Sequence, residues 1–153
     1  MQKKLFLLDA MALIYRAYYA MAKSPRITTT GIDTSATLGF TNTLYDVIKH
    51  EQPTHLAVAF DTGSPTLRHA DFDSYKANRE ETPEGIHTAI PYIKRILNAF
   101  DIPILELDGY EADDIIGTIS LWCDKDPKYE GISSLLLLDK KELYIIIILM
   151  IVH

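Results

Sequence analysis

Short apolar runs that each stop at an acid punctuate this chain, and they limit what it can fold into. Leu5-Phe6-Leu7-Leu8 ends in Asp9, and Leu56-Ala57-Val58-Ala59-Phe60 ends in Asp61. Residues 102–107 (IPILEL) run into Asp108, with Glu111, Asp113 and Asp114 just behind, and residues 132–138 (ISSLLLL) end in Asp139. Runs this short, apolar at nearly every position rather than every second one, read as strands buried on both faces. Between them lie helix-forming stretches: 11–22, 35–51, Thr82 to about Phe100, and 111–124. Leu38, Leu44, Val47 and Ile48 give the second an apolar face, and Thr82-Pro83 suits a cap followed by a first helical residue. Strand alternating with helix predicts an α/β domain in three layers, with a mainly parallel central sheet flanked by helices. Residues 23–34 read as a loop, and 62–82 as a polar, partly helical excursion from the compact body.

In such a sheet the C-terminal strand ends share one edge, where ligands bind. Acids from four separate segments are therefore expected on one rim. Packing anions together is costly unless cations lie between them, and hard cations such as Mg²⁺ and Mn²⁺ take oxygen ligands. That arrangement suits metal-assisted hydrolysis of a phosphate ester. A plainer reading stands beside it. A lone aspartate after a strand is ordinarily a turn residue or helix cap. Acids at 111, 113 and 114 also suit the positive end of a helix dipole, by ~0.3–1 kcal/mol each.

Composition narrows the field. The 153 residues are enough for one domain, 48% are hydrophobic and 24% charged, and the formal net charge of −6 lacks the basic footprint of most nucleic-acid binders. Acids gathered around bound cations would account for that charge. The single cysteine, Cys123, makes neither an internal disulfide nor a zinc site, so a cytoplasmic location is expected. Asp9 and Arg16 break the apolar start too early for an export signal. The run Ile145 to Val152 is far shorter than the ~20 residues of a membrane-spanning helix. There is no GxxxxGK[ST], GxGxxG or GxSxG motif, and Asp9-Ala-Met lacks the second aspartate of an aspartyl-phosphate start, so no small-molecule cofactor is expected.

Four stretches carry a resemblance: LFLLDAMALIYRAYYAM, AVAFDTGSPTLRHADFDSYKANREETPE, IPILELDGYEADDIIGT, and Gly31 with Leu38-Gly39-Phe40. In order and spacing over about residues 3–120 the chain resembles the 5′-3′ exonuclease domain of bacterial DNA polymerase I and its flap-endonuclease relatives. The blocks Gly109 to Asp114 and Tyr75 to Arg79 are its most specific parts. The resemblance implies a PIN-like 5′-nuclease fold and a two-metal nuclease acting on DNA with 5′ flaps or 5′ ends. By position, Asp9, Asp61, Glu111, Asp113 and Asp114 look like its metal-binding carboxylates, with Asp139 a weaker match. Arg16, Lys76 and Arg79 resemble its catalytic cations. Arg68, Tyr75, Lys76 and Arg79 fall in the segment that resembles the helical arch over the single strand, where cations neutralise phosphate and tyrosines stack on bases. Read without the resemblance, that segment is a solvated face, because Asp71, Asp73, Glu80 and Glu81 cancel its basic charge.

The match breaks near the end. The family has an Asp-Lys-Asp pair where this chain reads Asp139-Lys140-Lys141-Glu142, and the sequence then becomes YIIIILMIVH. Residues 1–121 are therefore expected to form the exonuclease N-terminal domain, and 122–153 a diverged or truncated continuation, in the manner of a frameshift product, with an aggregation-prone apolar tail. A polymerase fused downstream in the intact gene product is a further implication. Two rivals remain, a PIN-type ribonuclease and a non-catalytic DNA-structure-binding remnant.

Overall fold

The computed structural model describes residues 3–62, 81–125, 129–136 and 146–152. Strand β1 (Lys3–Asp9) leads into helix α1 (Ala10–Met21), followed by α2 (Ser35–Asp46) with a π-helical turn at Val47–Glu51. Then come β2 (His55–Ala59), α3 (Glu84–Ala99), β3 (Ile104–Leu105), α4 (Ala112–Lys125), β4 (Tyr129–Leu136) and β5 (Ile146–Val152). The five strands form one sheet in the order β3-β2-β1-β5-β4. β1–β2 and β2–β3 are parallel pairs, whereas β5 is antiparallel to both β1 and β4. Two reversals cancel, so β4 runs in the direction of β1, and every strand but β5 shares that direction.

Alternation along the strands decides which layer each residue meets. Phe6, Leu8, Val58 and Phe60 pack into one cluster with Leu13 and Ile14 of α1, Phe40 and Leu44 of α2, and Ile86, Ile93 and Leu97 of α3. Leu7, Ala57 and Ala59 face the other way, onto Ala112, Ile116 and Cys123 of α4. This two-residue period explains the unbroken apolar runs, since both faces are covered. Helical spacing supplies the matching faces: Ala10, Leu13, Ile14 and Ala17 are the buried residues of α1, and Ile86, Ala89, Ile93 and Leu97 those of α3. Burying a side chain such as Phe6 or Leu8, each 0% exposed, contributes roughly 1.5–3 kcal/mol. α1 and α2 approach closely at Gly39, where an added Cβ would lie 2.6 Å from the Ala17 Cβ.

Several expected boundaries move, for physical reasons. The helix expected over 35–51 loosens into a π turn after Asp46 and stops where Gln52 turns left-handed (φ 48°) before Pro53. The third strand pairs only at Ile104–Leu105, because Pro103 has no N–H to donate and β3 lies at the sheet edge. Thr82 does not cap α3: Pro83 occupies the cap position without a side-chain bond, and the Thr82 hydroxyl meets Tyr15 Oη at 2.9 Å. The fourth strand lies at 129–136 and neighbours β5 rather than β1. The apolar run expected as a tail is strand β5, paired on both sides, from Lys3↔Val152 to Leu8↔Ile147 on one edge. Strands β4 and β5 thus belong to the same sheet as β1, β2 and β3.

Candidate metal centre

From β1 the chain steps to β2 and β3 on one side, then crosses through α4 to β4 on the far side of β1. The crevice of such a sheet opens where the winding reverses, beyond the C-terminal end of the central strand. Asp9 is the last residue of β1 and stands at that point. It also caps α1: its Oδ1 accepts a hydrogen bond from the Ala12 N–H at 3.0 Å.

Asp61 follows β2 in the same phase as Ala57 and Ala59, and backbone pairing continues far enough to hold that phase, with Phe60 N–H donating to the Leu105 carbonyl at 2.9 Å. Its carboxylate reaches α4, where Oδ1 accepts the N–H of Ala112 at 2.7 Å across 51 residues of sequence. The end of β2 and the start of α4 are thereby tied together. α4 brings the remaining acids. Glu111 is buried immediately before it, and its N–H donates to Asp114 Oδ2 at 3.1 Å, the acidic half of a capping box. Asp113 is exposed on the first turn.

Electrostatics show which of these carboxylates share a neighbourhood. Burial pushes the Asp9 carboxyl above its ordinary value of 3.8. Hydrogen bonds from Ala12 and Met11 work against burial, and the charges of Asp61 and Asp113 reinforce it. Side chains from β1, from the end of β2 and from α4 therefore act on one another at one rim. Among the described residues no group of three or more acids, histidines or cysteines is gathered closely enough to hold a metal ion. Three of the carboxylates each accept a backbone N–H at one oxygen, Asp9 from Ala12, Asp61 from Ala112 and Asp114 from Glu111. The donor set consists of oxygens, and its crowded negative charge favours a hard divalent cation that keeps part of its water shell. Asp9, Asp61, Glu111, Asp113 and Asp114 supply the carboxylate oxygens of this rim.

Other expected site residues are distributed differently. Arg16 lies on α1 seven residues after Asp9, hence on the same side of the helix, is partly buried, and has no ion-pair partner among the described residues. Arg68, Tyr75, Lys76, Arg79 and Asp139 lie outside the described residues. The C-terminal end of β4, at Leu136, does reach the same edge as Leu8, since Ile146 and Ile147 of β5 pair with them. Sequence reasoning missed the Asp61–Ala112 link, whose only trace in the sequence is an acid two residues beyond a strand. It also missed Lys94, whose Nζ lies 5.1 Å from the centroid of the Phe60 ring and pairs with Glu106. Among the described residues, no helix is long and apolar enough to cross a membrane.

Comparison with known proteins bears on the family and the fold. Residues 4–140 match the family model of the 5′-3′ exonuclease, N-terminal resolvase-like domain. DNA polymerase I of Geobacillus stearothermophilus is 42% identical over 126 residues, which cover 82% of this chain and 14% of that protein. A 5′-3′ exonuclease of Aquifex aeolicus is 40% identical over 118 residues, covering 77% of this chain and 40% of that one. The chain therefore spans only a minor part of these relatives. The T5 D15 protein, crystallised with metal ions, shares the fold with a TM-score of 0.54 at 20% identity, covering 76% of this chain and 43% of its own. With a family model spanning most of its length and relatives at this identity, the chain belongs to the 5′-3′ exonuclease N-terminal resolvase-like domain family.

Proposed function

We propose that this chain carries the acidic site of a metal-dependent 5′-3′ exonuclease that hydrolyses DNA phosphodiesters at 5′ ends and 5′ flaps. The observation that carries the reading is the bond from the Ala112 N–H to Asp61 Oδ1 at 2.7 Å, which ties the acidic start of α4 to the end of β2, with the charges of Asp61 and Asp113 both acting on Asp9 at the end of β1. Such crowding is unfavourable in the isolated chain and becomes favourable once divalent cations are shared. Magnesium, with manganese as its substitute, is the proposed ion, and two such ions are the proposed complement. When bound, they supply Lewis-acid activation of water and neutralise charge on the scissile phosphate.

The side chains then have separate tasks. Asp9, Asp61, Glu111, Asp113 and Asp114 would hold the ions from three elements, and the Asp61–Ala112 bond keeps α4 in register with β2. Asp114 also steadies the helix start through its bond to the Glu111 N–H, and Asp139 is proposed to join the set. Arg16, Lys76 and Arg79 are proposed to balance the phosphate charge that builds in the transition state. Arg68 and Tyr75, with Lys76 and Arg79, are proposed to grip the 5′ single strand through phosphate pairing and base stacking. Similarity to DNA polymerase I supports action in replication and repair within the cytoplasm, in company with a polymerase. Incubation with a 5′-flapped DNA duplex and with single-stranded RNA, in Mg²⁺ and then Mn²⁺, tests the reading. Metal-dependent cleavage of the flap, lost in Asp61→Ala, is expected. Cleavage of the RNA alone, or flap cleavage unaffected by chelator, would overturn it.

A further inference from the structure

On the β3 side of the acidic rim lies an open groove of about 540 Å³, lined by Thr62, Lys94, Glu106, Leu107 and Asp108. It adjoins Asp61 in sequence on one wall and stands where β2 and β3 end. Its cation is held unusually well for a lysine. The ammonium lies 5.1 Å from the centroid of the buried Phe60 ring and pairs with the Glu106 carboxylate, both charged side chains being 32% exposed. Lys94 comes from the second half of α3 and reaches up to the strand ends, whereas a solvated lysine would spread over many rotamers at little cost. The ring face and the carboxylate together fix a positive charge beside the candidate metal centre.

We propose that Lys94 is a contact for a nucleic-acid backbone phosphate, a subsite flanking the metal centre on its β3 side. Glu106 holds the ammonium in place and gives it up to the phosphate, while the Phe60 ring keeps it oriented throughout. Thr62 adds a hydroxyl on the same wall. The acids Glu106 and Asp108 make the groove a poor sink for free anions. A phosphate borne on a polymer already anchored at the metal centre would enter it more readily than a free one. This assignment rests on the nuclease reading above and adds a residue to it.

If the pair were only a brace between α3 and β3, Lys94 and Glu106 would act in the same direction. A phosphate contact makes them act in opposite directions. The test measures equilibrium binding of a fluorescent 5′-flapped DNA duplex to the full chain in Ca²⁺ across a salt series, with thermal melting of each variant. Lys94→Gln is expected to weaken binding about fivefold and to reduce the slope of log K against log salt by about 0.7–0.9, the loss of one phosphate contact. Lys94→Arg, which keeps the charge, is expected to bind as the parent does. Glu106→Gln is expected to tighten binding by about twofold or more, since it frees the ammonium and removes an anion. An unchanged salt slope in Lys94→Gln, or Glu106→Gln weakening binding in step with it, would overturn the assignment and leave the nuclease reading standing. A parent chain with no affinity for the flapped duplex would overturn both.

Discussion

Replacing Asp61 in two ways separates its structural from its chemical role. Asp61→Asn keeps an oxygen for the Ala112 N–H, now bonded at 2.7 Å, but removes the charge. Asp61→Ala removes both and leaves the N–H at the start of α4, on a residue 1% exposed, without that partner. Loss of a helix-capping acceptor costs about 1 kcal/mol. For a domain of about 150 residues, 1 kcal/mol is worth roughly 2–4 °C in Tm. In chelator, both substitutions relieve the repulsion that Asp61 exerts on Asp9, so their difference isolates the hydrogen bond. Asp61→Asn is expected to melt roughly 2–4 °C above Asp61→Ala. Metal reverses the comparison with the parent. At a hundredfold excess over Kd, a bound ion stabilises by about 2.7 kcal/mol, or roughly 5–10 °C here. The parent should show that shift with Mn²⁺, and both variants should lose most of it. Thermal melts with chelator and with Mn²⁺ decide the matter. Identical melting of the two variants in chelator would rule out a structural role for the Asp61–Ala112 bond, and a full Mn²⁺ shift in Asp61→Asn would rule out Asp61 as a metal ligand.

Three further outcomes are expected. The folded chain binds a proton at Asp9 more tightly than the unfolded chain does, so ionising that carboxyl costs stability. The loss begins as pH rises past 3.8 and is complete above the raised folded value. Asp9→Asn keeps the cap on α1 and is expected, in urea melts with chelator, to gain on the parent across that window and to match it below. Gly39→Ala places a Cβ 2.6 Å from the Ala17 Cβ and is expected to cost about 1–3 kcal/mol, with Ala17→Gly restoring most of it in the double variant. Tyr15→Phe and Thr82→Val each remove the 2.9 Å hydroxyl pair and are expected to cost about 0.5–1.5 kcal/mol, with the double variant costing little more than either in a denaturation cycle.

What could be read from the sequence was what local chemistry dictates. α1 spans 10–21 against an expected 11–22 because Asp9 both ends a strand and caps a helix, two signals at one residue. The rim position of Asp9 and Asp61 followed from apolar runs that stop at acids, and the sheet bears out both runs. The destination of 146–152 was not legible. An apolar run without alternation specifies burial but neither direction nor neighbour. β1, apolar on both faces and paired with β2 on one edge, leaves its other edge open, and β5 fills it in the antiparallel sense. Asp114 carries a second role that the sequence reading did not name: its Oδ2 accepts the Glu111 N–H, because an acid three residues after a cap position also serves the helix start. The Lys94–Phe60–Glu106 arrangement joins three elements and has no local signature at all.

If acids from β1, from the end of β2 and from α4 hold the same ions, an electron paramagnetic resonance titration of Mn²⁺ reads it out. Asp9→Asn, Asp61→Asn and Asp113→Asn, compared with the parent, should each weaken Mn²⁺ binding by at least about tenfold, or ~1.4 kcal/mol. Mn²⁺ affinity and stoichiometry that stay at the parent's level in all three variants would contradict it.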